Sequence, residues 1–575
     1  MGSMRLIDIN IFLKRERAMS KGRQVERRAK VFDFRDDEDT EYVILSHRWI
    51  GDTEVNYDEM VDLAKMEEGD RDEIRERAGY KKILDTCRQA KKYGYEWVWV
   101  DTCCIDKRSS AELSEAINSM YRWYANAKVC YAYLHDVDGS SFPTKKDNAK
   151  YPEWNGWPEW FSRGWTLQEM IAPSNVQFFN RNWQLIGRKK ILSRTLTRIT
   201  GVPEHILIGG LDRGHTCVAQ IISWAANRTT TRVEDRAYSL MGLLDVNMPM
   251  LYGEGKKAFH RLQLEIIRSS DDQSIFAWGY NSDDVRIGSI LADDPSFFAD
   301  CSNIWLMDHD EFIEESEKTF PELGSMDADV GVFPVTNRGI QIRMLLCPYP
   351  GSKSVFRAYL PCRVSGSLVA INLVSWNSNY YRYPEVQESD LGDSPEFRQV
   401  YLRYQDTPNH AVTFEVDDSD LTENGFIEDP EERTGKTFML TNANPFCFRT
   451  YSEEQSNCCF KVIFGQCLGQ NWVHLEDIPP DATPIDLVAS IYQGPDWVLP
   501  NNDFFHDNIC GELWIRDFRL PGSPWVVRTY RVMWERSRIG VRMEVFRDPH
   551  VHNGLDEWKA YNIEVSDFSC TWIIM

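Results

Sequence analysis

Two short apolar segments in the first half of this 575-residue chain each end in a group of polar residues. In a sheet of parallel strands, ligands bind outside the carboxyl ends of the strands. Polar residues also collect in loops that bind nothing, but two neighbouring strands that end this way favour a ligand cleft. The residues that end the first segment are Ser46, His47, Arg48, Trp49 and, just beyond, Asp52; those after the second are Asp101, Thr102, Cys104, Asp106 and Lys107.

A third group of candidate residues lies on a helix that we expect Pro158 to open and Pro173 to close. Trp165 and Glu169 are four residues apart, so they share one helical face and meet the same neighbour. The spacing alone favours a core tryptophan beside a solvated glutamate. The alternative is an aromatic surface and a carboxylate that face one ligand. The group consists of Arg163, Trp165, Thr166 and Glu169.

Alternating strands and helices are predicted to position these three groups. Helical spacing predicts a helix over 80–92, which Gly94 ends, and another that begins at the capping pair Ser109 and Glu112. With the helix that carries Glu169, this order predicts a parallel sheet with helices on both faces. The apolar runs that predict its strands are 41–46, 97–100, 129–134 and 176–179.

In the rest of the chain, the predicted secondary structure changes from helical to β-type. Residues 185–280 are predicted to be helical, and short β-type runs separated by loops rich in Asp, Pro, Asn and Gly follow after about residue 285. These runs predict a mainly antiparallel sandwich or barrel; they are 368–374, 400–404, 437–440, 460–464, 525–534 and 541–546. We therefore expect an N-terminal segment (1–40) whose first three residues resemble a cloning remnant, an α/β domain (41–184), its helical extension (185–284) and a β-rich domain (285–575).

The composition excludes several classes of partner. A net charge of −23 argues against nucleic acid, because most of the surface would repel a phosphate backbone. The absence of a membrane-length apolar run or a signal-peptide core predicts a cytoplasmic protein with no membrane partner. The 14 cysteines form no CxxC pair, which indicates neither a metal site nor a disulfide framework.

Several sequence blocks resemble a known family. VILSHRW (43–49), VWVDTCCIDK (98–107) and RGWTLQEM (163–170) resemble, in order, the three signature blocks of the fungal heterokaryon-incompatibility (HET) domain. RVEDRAYSLMGL (232–243) and LYGEG (251–255) are also similar to segments of such proteins. The resemblance covers about residues 42–280. The chain departs from the family pattern at Ile50, which separates Trp49 from Gly51 where family members usually run straight from Trp to Gly.

The resemblance implies a role in non-self recognition and programmed cell death in filamentous fungi. HET domains in turn resemble TIR domains, which implies a TIR- or flavodoxin-like fold, and several TIR domains hydrolyse NAD. In TIR enzymes the catalytic glutamate lies on a helix shortly after a tryptophan. WTLQEM (165–170) is similar to that pattern, so the resemblance names Glu169 as the candidate catalytic residue. It further implies a homo-oligomer as the active form and a C-terminal domain that senses a signal or inhibits the enzyme.

NAD would be a substrate, and no further cofactor is expected. Breaking its bond between nicotinamide and ribose creates an oxocarbenium-like centre and releases a neutral leaving group, so one carboxylate near the ribose suffices. Arg48 would bind the pyrophosphate, and Trp49 or Trp165 would stack on a ring. Nine other candidates would complete the substrate site: Ser46, His47, Asp52, Asp101, Cys104, Asp106, Lys107, Arg163 and Thr166.

Two non-enzymatic functions stay open at this stage. The domain could assemble death-signalling complexes, or it could bind NAD or a derivative without cleaving it. A pairing of Arg48 with Glu169 would favour the enzyme, because an adaptor does not require both. The segment 234–236 (Glu-Asp-Arg) is interpreted as a structural ion-pair cluster.

Overall fold

The computed structural model describes residues 3–21, 30–212, 214–280, 288–323, 331–349, 355–376, 378–383, 395–405, 411–430, 435–441, 446–453, 458–467, 470–477, 512–519, 525–535, 538–547 and 559–562. The chain divides into two compact units. The first comprises Met1–Ser282, Leu291–Val335 and Tyr359–Ile371; the second comprises Asp283–Ile290, Thr336–Ala358 and Asn372–Met575. The limits proposed above for four domains stay predictions.

A seven-stranded sheet forms the centre of the first unit. Its strands, in chain order, are β1 (Ser3–Asp8), β2 (Phe32–Asp36), β3 (Tyr42–His47), β4 (Trp97–Trp99), β5 (Val129–Tyr133), β6 (Val176–Phe179) and β7 (Leu185–Arg188). Their order in the sheet is β2-β1-β4-β3-β5-β6-β7, and the four strands β4, β3, β5 and β6 are parallel. All six residues of β3 are buried, as expected of a parallel strand covered on both faces. The four predicted parallel strands are thereby confirmed.

The edges of this sheet differ from the prediction. β1 and β2 form an antiparallel pair inside the predicted N-terminal segment, and β1 continues the sheet beside β4. β7 pairs antiparallel with β6, so the prediction of helix from residue 185 onward is wrong at Leu185–Arg188. The two edge strands, β2 and β7, are short and partly exposed, and apolar periodicity gives little signal for such a strand.

Twelve α-helices lie in the described part of the first unit. They are α1 (Ile9–Met19), α2 (Tyr57–Asp62), α3 (Glu68–Glu76), α4 (Ala78–Lys92), α5 (Ser110–Asn126), α6 (Thr166–Ile171), α7 (Lys189–Thr200), α8 (Glu204–Gly209), α9 (Val218–Ser223), α10 (Asp235–Tyr238), α11 (Lys257–Ser269) and α12 (His309–Thr319). The predicted cap of α5 is half confirmed, because the Ser109 side chain accepts from the Glu112 N–H at 3.2 Å. The Glu112 carboxylate binds Arg5 and the Asp106 N–H instead of closing a reciprocal box.

The predicted single helix beyond Pro158 is wrong. A 3-10 helix spans Glu159–Ser162, Arg163 is extended, and α6 begins only at Thr166. The Gly164 N–H donates to the Thr229 carbonyl oxygen at 2.9 Å, and a Cβ on Gly164 would lie 2.6 Å from Thr230 Cγ2. This close approach holds the backbone extended and breaks the helix.

The second unit is rich in β-strands, as predicted. Its strands are β9 (Ile340–Pro348), β12 (Asn379–Tyr383), β13 (Glu396–Leu402), β14 (Val412–Asp417), β15 (Ile427–Glu428), β16 (Thr437–Leu440), β17 (Phe446–Glu453), β18 (Cys458–Cys467), β19 (Gln470–Asp477), β20 (Glu512–Arg519), β21 (Trp525–Glu535), β22 (Arg538–Arg547) and β23 (Lys559–Asn562), with one helix, α13 (Ser419–Glu423). The short β8 (Trp305–Leu306) belongs to the first unit, and β10 (Val355–Val364) and β11 (Ser367–Trp376) contribute residues to both. Five of the six predicted β-type runs fall within strands, and the sixth, 400–404, overlaps the end of β13 and extends two residues beyond it.

Two sheets of the second unit share one core. Their strand orders are β16-β14-β22-β21-β20-β23 and β15-β17-β18-β19, and most pairs are antiparallel. Phe414 of the first sheet packs edge-on against Phe464 of the second, and both belong to one buried apolar cluster. This arrangement is a sandwich.

Candidate functional site

A cavity of about 310 Å³ lies in the first unit at the carboxyl ends of β3 and β4. We call it the strand-end cavity. Its position is the one at which parallel α/β sheets bind ligands. It is lined by His47, Arg48, Trp49, Asp101, Ile105, Lys107, Leu113, Ile117, Met120, Arg163, Trp165, Thr166, Glu169, Thr231, Arg232, Asp235 and Tyr252.

Nine of the candidate residues from the sequence meet in this cavity. They come from all three predicted groups: the end of β3, the loop after β4, and the segment around α6. Glu169 and the strand-end loops therefore share one space, as the spacing of Trp165 and Glu169 allowed. The nine are His47, Arg48, Trp49, Asp101, Lys107, Arg163, Trp165, Thr166 and Glu169.

Four candidates do not line the cavity. Asp52 is exposed on the 3-10 turn Gly51–Thr53, because that turn directs it to solvent. Cys104 is buried, and its thiol sulfur accepts from the Val100 N–H at 3.4 Å. Asp106 forms an ion pair with Arg108 at 2.8 Å beside the start of α5. The fourth, Ser46, lies behind the cavity wall, where it contacts Glu169.

Glu169 is the most perturbed acid of the cavity. Its side chain is buried, with only 4% of the residue exposed, and burial raises its pKa to about 8. The hydrogen bond from Ser46 and the positive charge of Arg163 oppose this rise, whereas the negative charge of Asp101 adds to it. Ser46 Oγ donates to Glu169 Oε2 at 2.5 Å. Without a ligand, Glu169 is therefore mostly protonated at neutral pH.

The pKa of Asp101 is shifted in the opposite direction, to below its usual value. Its Oδ1 lies 2.9 Å from His47 Nε2, and its Oδ2 accepts from the Trp49 indole at 2.7 Å. Burial alone would raise the pKa of Asp101, but His47, Lys107 and the Trp49 hydrogen bond hold it below its usual range. The cavity thus contains a neutral carboxyl group at Glu169 and an ionised one at Asp101, a separation typical of functional sites.

Positive charges and aromatic rings occupy the rest of the wall. The Lys107 ammonium lies 3.6 Å from the centre of the Trp49 ring, and the Arg232 guanidinium 4.3 Å from that of Tyr252. Arg163 Nη2 donates to Thr231 Oγ1 at 3.0 Å. Such groups suit anionic and planar parts of a ligand.

Arg48 does not pair with Glu169. Its guanidinium forms an ion pair with the buried Glu159. Glu159 is the first residue of the 3-10 helix Glu159–Ser162. The pairing of Arg48 with Glu169 that would have favoured an enzyme is therefore absent. Arg48 still lines the cavity, so a ligand could contact its outer face.

One wall of the cavity comes from the segments near residues 231 and 252, which were not among the residues predicted from the sequence. Asp235 had been assigned to an ion-pair cluster, but it lines the cavity and accepts from the Tyr252 hydroxyl at 3.0 Å. Burial raises the pKa of Asp235. Arg236 does form an ion pair, with Asp294 at 2.5 Å. The blocks 232–243 and 251–255 carried the signal, but nothing in their spacing showed that they reach the site.

The floor beside Glu169 is apolar. Its residues are Ile105, Leu113, Ile117 and Met120. Leu113, Ile117 and Met120 are three or four residues apart, so they lie on one face of α5. The residues that the structure describes contain no group of three or more His, Cys, Asp or Glu side chains suited to a metal ion. Within those same ranges no helix has the length and apolarity that a membrane span requires.

Residues 42–158 match the family described as heterokaryon incompatibility protein (HET), and residues 257–288 match a domain of unknown function (DUF8212). The chain thus contains a segment that matches the HET domain. It is similar to vegetative incompatibility protein HET-E-1 of Podospora anserina, with 44% identity over 231 residues, which are 39% of this chain and 16% of that protein. The chain therefore spans about one sixth of the length of this curated relative.

One solved structure matches part of the chain. It is the lectin XCL of Xerocomus chrysenteron, with 10% identity over 24% of this chain and 98% of the lectin. The TM-score of 0.18 is too low to support any conclusion about fold or binding.

Proposed function

We propose that the HET domain cleaves NAD between nicotinamide and ribose, and that this activity serves cell death in heterokaryon incompatibility. The observation that carries the proposal is the position of Glu169. Its buried carboxyl group faces a small cavity whose other walls hold arginines, a lysine and three aromatic rings. A cell-death role is supported by the HET family match and by the name of the Podospora relative.

The strand order supports a TIR- or flavodoxin-like fold for this domain. Numbered along the chain, the four parallel strands run 2-1-3-4 across the sheet (β4, β3, β5, β6). The same order begins the doubly wound sheets of the flavodoxin type, which bind their ligands where the strand order reverses. Here the reversal falls between β3 and β5, and β3 delivers His47, Arg48 and Trp49 to the cavity.

The chemistry requires the ionised form of Glu169. The nicotinamide ring of NAD carries a positive charge, and a cation beside a buried carboxyl group lowers its pKa. Binding of NAD would therefore ionise Glu169, which is mostly neutral in the empty cavity. As the bond from C1′ to the ring nitrogen breaks, its electron pair goes to neutral nicotinamide and the charge moves to the ribose. Glu169 stabilises that charge, and a water then attacks C1′ and gives ADP-ribose and a proton.

The size of the cavity supports a pose in which only part of NAD lies inside. Small-molecule sites usually have volumes of about 300–1,000 Å³, so 310 Å³ is enough for the nicotinamide riboside half. The apolar floor and the ring of Trp165 suit the nicotinamide. Arg163 and Arg232 suit the pyrophosphate, whose oxygens accept paired hydrogen bonds. The adenosine half would extend from the mouth of the cavity.

A nicotinamide-release assay tests the proposal. Purified protein is incubated with NAD, at low and at high protein concentration because we propose that the active form is a homo-oligomer. We expect wild type to release nicotinamide and Glu169→Gln to lose at least 100-fold of this rate. Glu265→Gln, on the exposed side of α11, is the matched control and should act like wild type. Equal rates for wild type and Glu169→Gln would contradict the proposal.

A second candidate function is a sensor that binds NAD or a derivative without cleaving it. The neutral state of Glu169 in the empty cavity favours it, because a protonated carboxyl group can donate a hydrogen bond to a ligand and leave it intact. Calorimetric binding of NAD with no release of nicotinamide at any protein concentration would identify the sensor.

A further inference from the structure

Three buried side chains form a hydrogen-bonded chain that ends at Glu169. The Trp160 indole nitrogen lies 2.8 Å from Ser46 Oγ, and Ser46 Oγ lies 2.5 Å from Glu169 Oε2. Trp160 and Ser46 are 0% exposed. Trp160 is held edge-on against Phe161 and Phe178, so its N–H has a fixed direction.

The proton positions in this chain follow from the chemistry of the groups. An indole N–H only donates, and a serine hydroxyl has a single proton to give. Ser46 Oγ must therefore accept from Trp160, which leaves its own proton to point at Glu169 Oε2. Ser46 Oγ has a second lone pair, but if it accepted a proton from Oε2, its own proton would lose the one acceptor that the described residues give it. Oε2 is therefore the acceptor in both charge states of Glu169. When Glu169 is neutral, its proton belongs on Oε1, the oxygen left for the cavity.

We propose that Ser46 and Trp160 are positioning residues that fix Glu169 so that Oε1 is the atom presented to the ligand. This inference rests on the proposed function for its meaning in catalysis, but the hydrogen-bond direction is independent of it. In the neutral state Oε1–H is a donor into the cavity. In the ionised state Oε1 is the anion nearest the ribose, while Oε2 stays bound to Ser46.

Several other groups face Glu169, and they do not replace Ser46 at Oε2. The Tyr124 hydroxyl donates to the Leu45 carbonyl oxygen at 3.1 Å, and the Cys130 thiol donates to the Glu169 carbonyl oxygen at 3.8 Å. The other charged or titratable neighbours are Asp101, Arg163 and Arg228. Because Ser46 donates to the carboxylate, it favours the ionised form. Its loss should raise the pKa of Glu169.

Direct titration of Glu169 in the full chain tests this inference. The infrared carbonyl band of the protonated carboxyl group, identified as the band missing from Glu169→Gln, is followed against pH. A hydrogen bond to a charged group corresponds to a pKa change of about one to two. Ser46→Ala should raise the pKa of Glu169 by about that amount, and Ser46→Thr, which keeps the hydroxyl, should restore it. Trp160→Phe, which frees the Ser46 proton to rotate, should give a smaller rise.

Ser223→Ala is the matched control, because it removes another buried hydroxyl, one that donates to the Gln220 carbonyl oxygen. It should leave the titration of Glu169 unchanged. An unchanged or lowered pKa in Ser46→Ala, or equal changes in Ser46→Ala and Ser223→Ala, would overturn the inference. If Ser46→Ala fails to fold, the rise in Trp160→Phe decides the question.

The pH dependence of NAD cleavage separates this inference from the proposed function. The rising limb of kcat/KM reports the free enzyme, so it should move to higher pH in Ser46→Ala together with the infrared titration. A moved titration without cleavage in any variant would uphold the positioning role and reject the NAD hydrolase. Cleavage by wild type and by Ser46→Ala with the same pH profile would uphold the NAD hydrolase and reject the positioning role.

Discussion

Glu169→Gln should make the HET domain more stable, and the gain should grow with pH. In the folded protein the pKa of Glu169 is about 8, against an ordinary value of 4.5. Between these two pH values the unfolded chain ionises and the folded chain does not, so the folded state loses stability as pH rises. The cost is absent below pH 4.5 and complete above pH 8. Glutamine accepts from Ser46 through its oxygen and has no charge to bury.

The magnitude follows from the difference between the two pKa values. At roughly 1.4 kcal/mol for each pH unit, the cost is about 3 kcal/mol at pH 7 and about 5 kcal/mol above pH 8. Stability is measured by urea-dependent hydrogen exchange of peptides from β3 and β5, because the chain has two units and global unfolding would mix them. We expect Glu169→Gln to equal wild type near pH 4.5 and to exceed it increasingly up to pH 8.

Glu234→Gln is a control of opposite sign. The Glu234 carboxylate accepts from the backbone N–H groups of Gly253 and Gly255 at 2.8 and 3.0 Å. Hydrogen bonds from its own backbone N–H and from these two glycines hold the pKa of Glu234 below its ordinary value. This substitution should therefore destabilise the domain at neutral pH, and the loss should vanish in acid. A difference between wild type and Glu169→Gln that stays constant from pH 5 to pH 8 would refute the reasoning about burial.

Three further substitutions test the surroundings of Glu169. Gly164→Ala should destabilise the domain by about 1–3 kcal/mol in thermal unfolding, because its Cβ would overlap Thr230 Cγ2. Adding Thr230→Ser, which removes that methyl group, should restore stability, and a double variant as unstable as Gly164→Ala would contradict the contact. Arg163→Gln should weaken ADP-ribose binding in calorimetry by about 10- to 100-fold and spare nicotinamide, whereas equal losses would exclude Arg163 as the pyrophosphate ligand. Lys189→Met should cost about 1–3 kcal/mol in urea unfolding, because the buried Lys189 ammonium donates to the carbonyl oxygens of Met170 and Ile171 at the end of α6; full stability would show that water replaces it.

The parallel part of the fold could be predicted because its strands are unambiguous. β3 is apolar except at its end and buried along its whole length. A short apolar run of this kind fits few secondary structures other than a buried strand. The break at Gly164 could not be predicted. It depends on contacts with Thr229 and Thr230, some 65 residues along the chain, and local helical spacing carries no information about them.

The candidate site likewise has a part that could be predicted from the sequence and a part that could not. Residues that directly follow β3 and β4 could be placed together, because parallel strands end at one edge of the sheet. The partner of Arg48 could not be identified, since Glu159 and Glu169 are both carboxylates near α6 and only the tertiary structure selects Glu159. Asp235 and Tyr252 reach the cavity from segments beyond the sheet, so strand ends gave no indication of them.

Nicotinamide release from NAD by wild type and Glu169→Gln, at matched high protein concentration, tests the central claim most directly. Unfolding at each pH shows in parallel that the variant is folded. We predict release by wild type and a loss of at least 100-fold in Glu169→Gln, although the variant is the more stable protein at pH 7 and above. Release at the same rate by both proteins, or by neither while both bind NAD, would contradict the assignment of Glu169 as the catalytic residue of an NAD hydrolase.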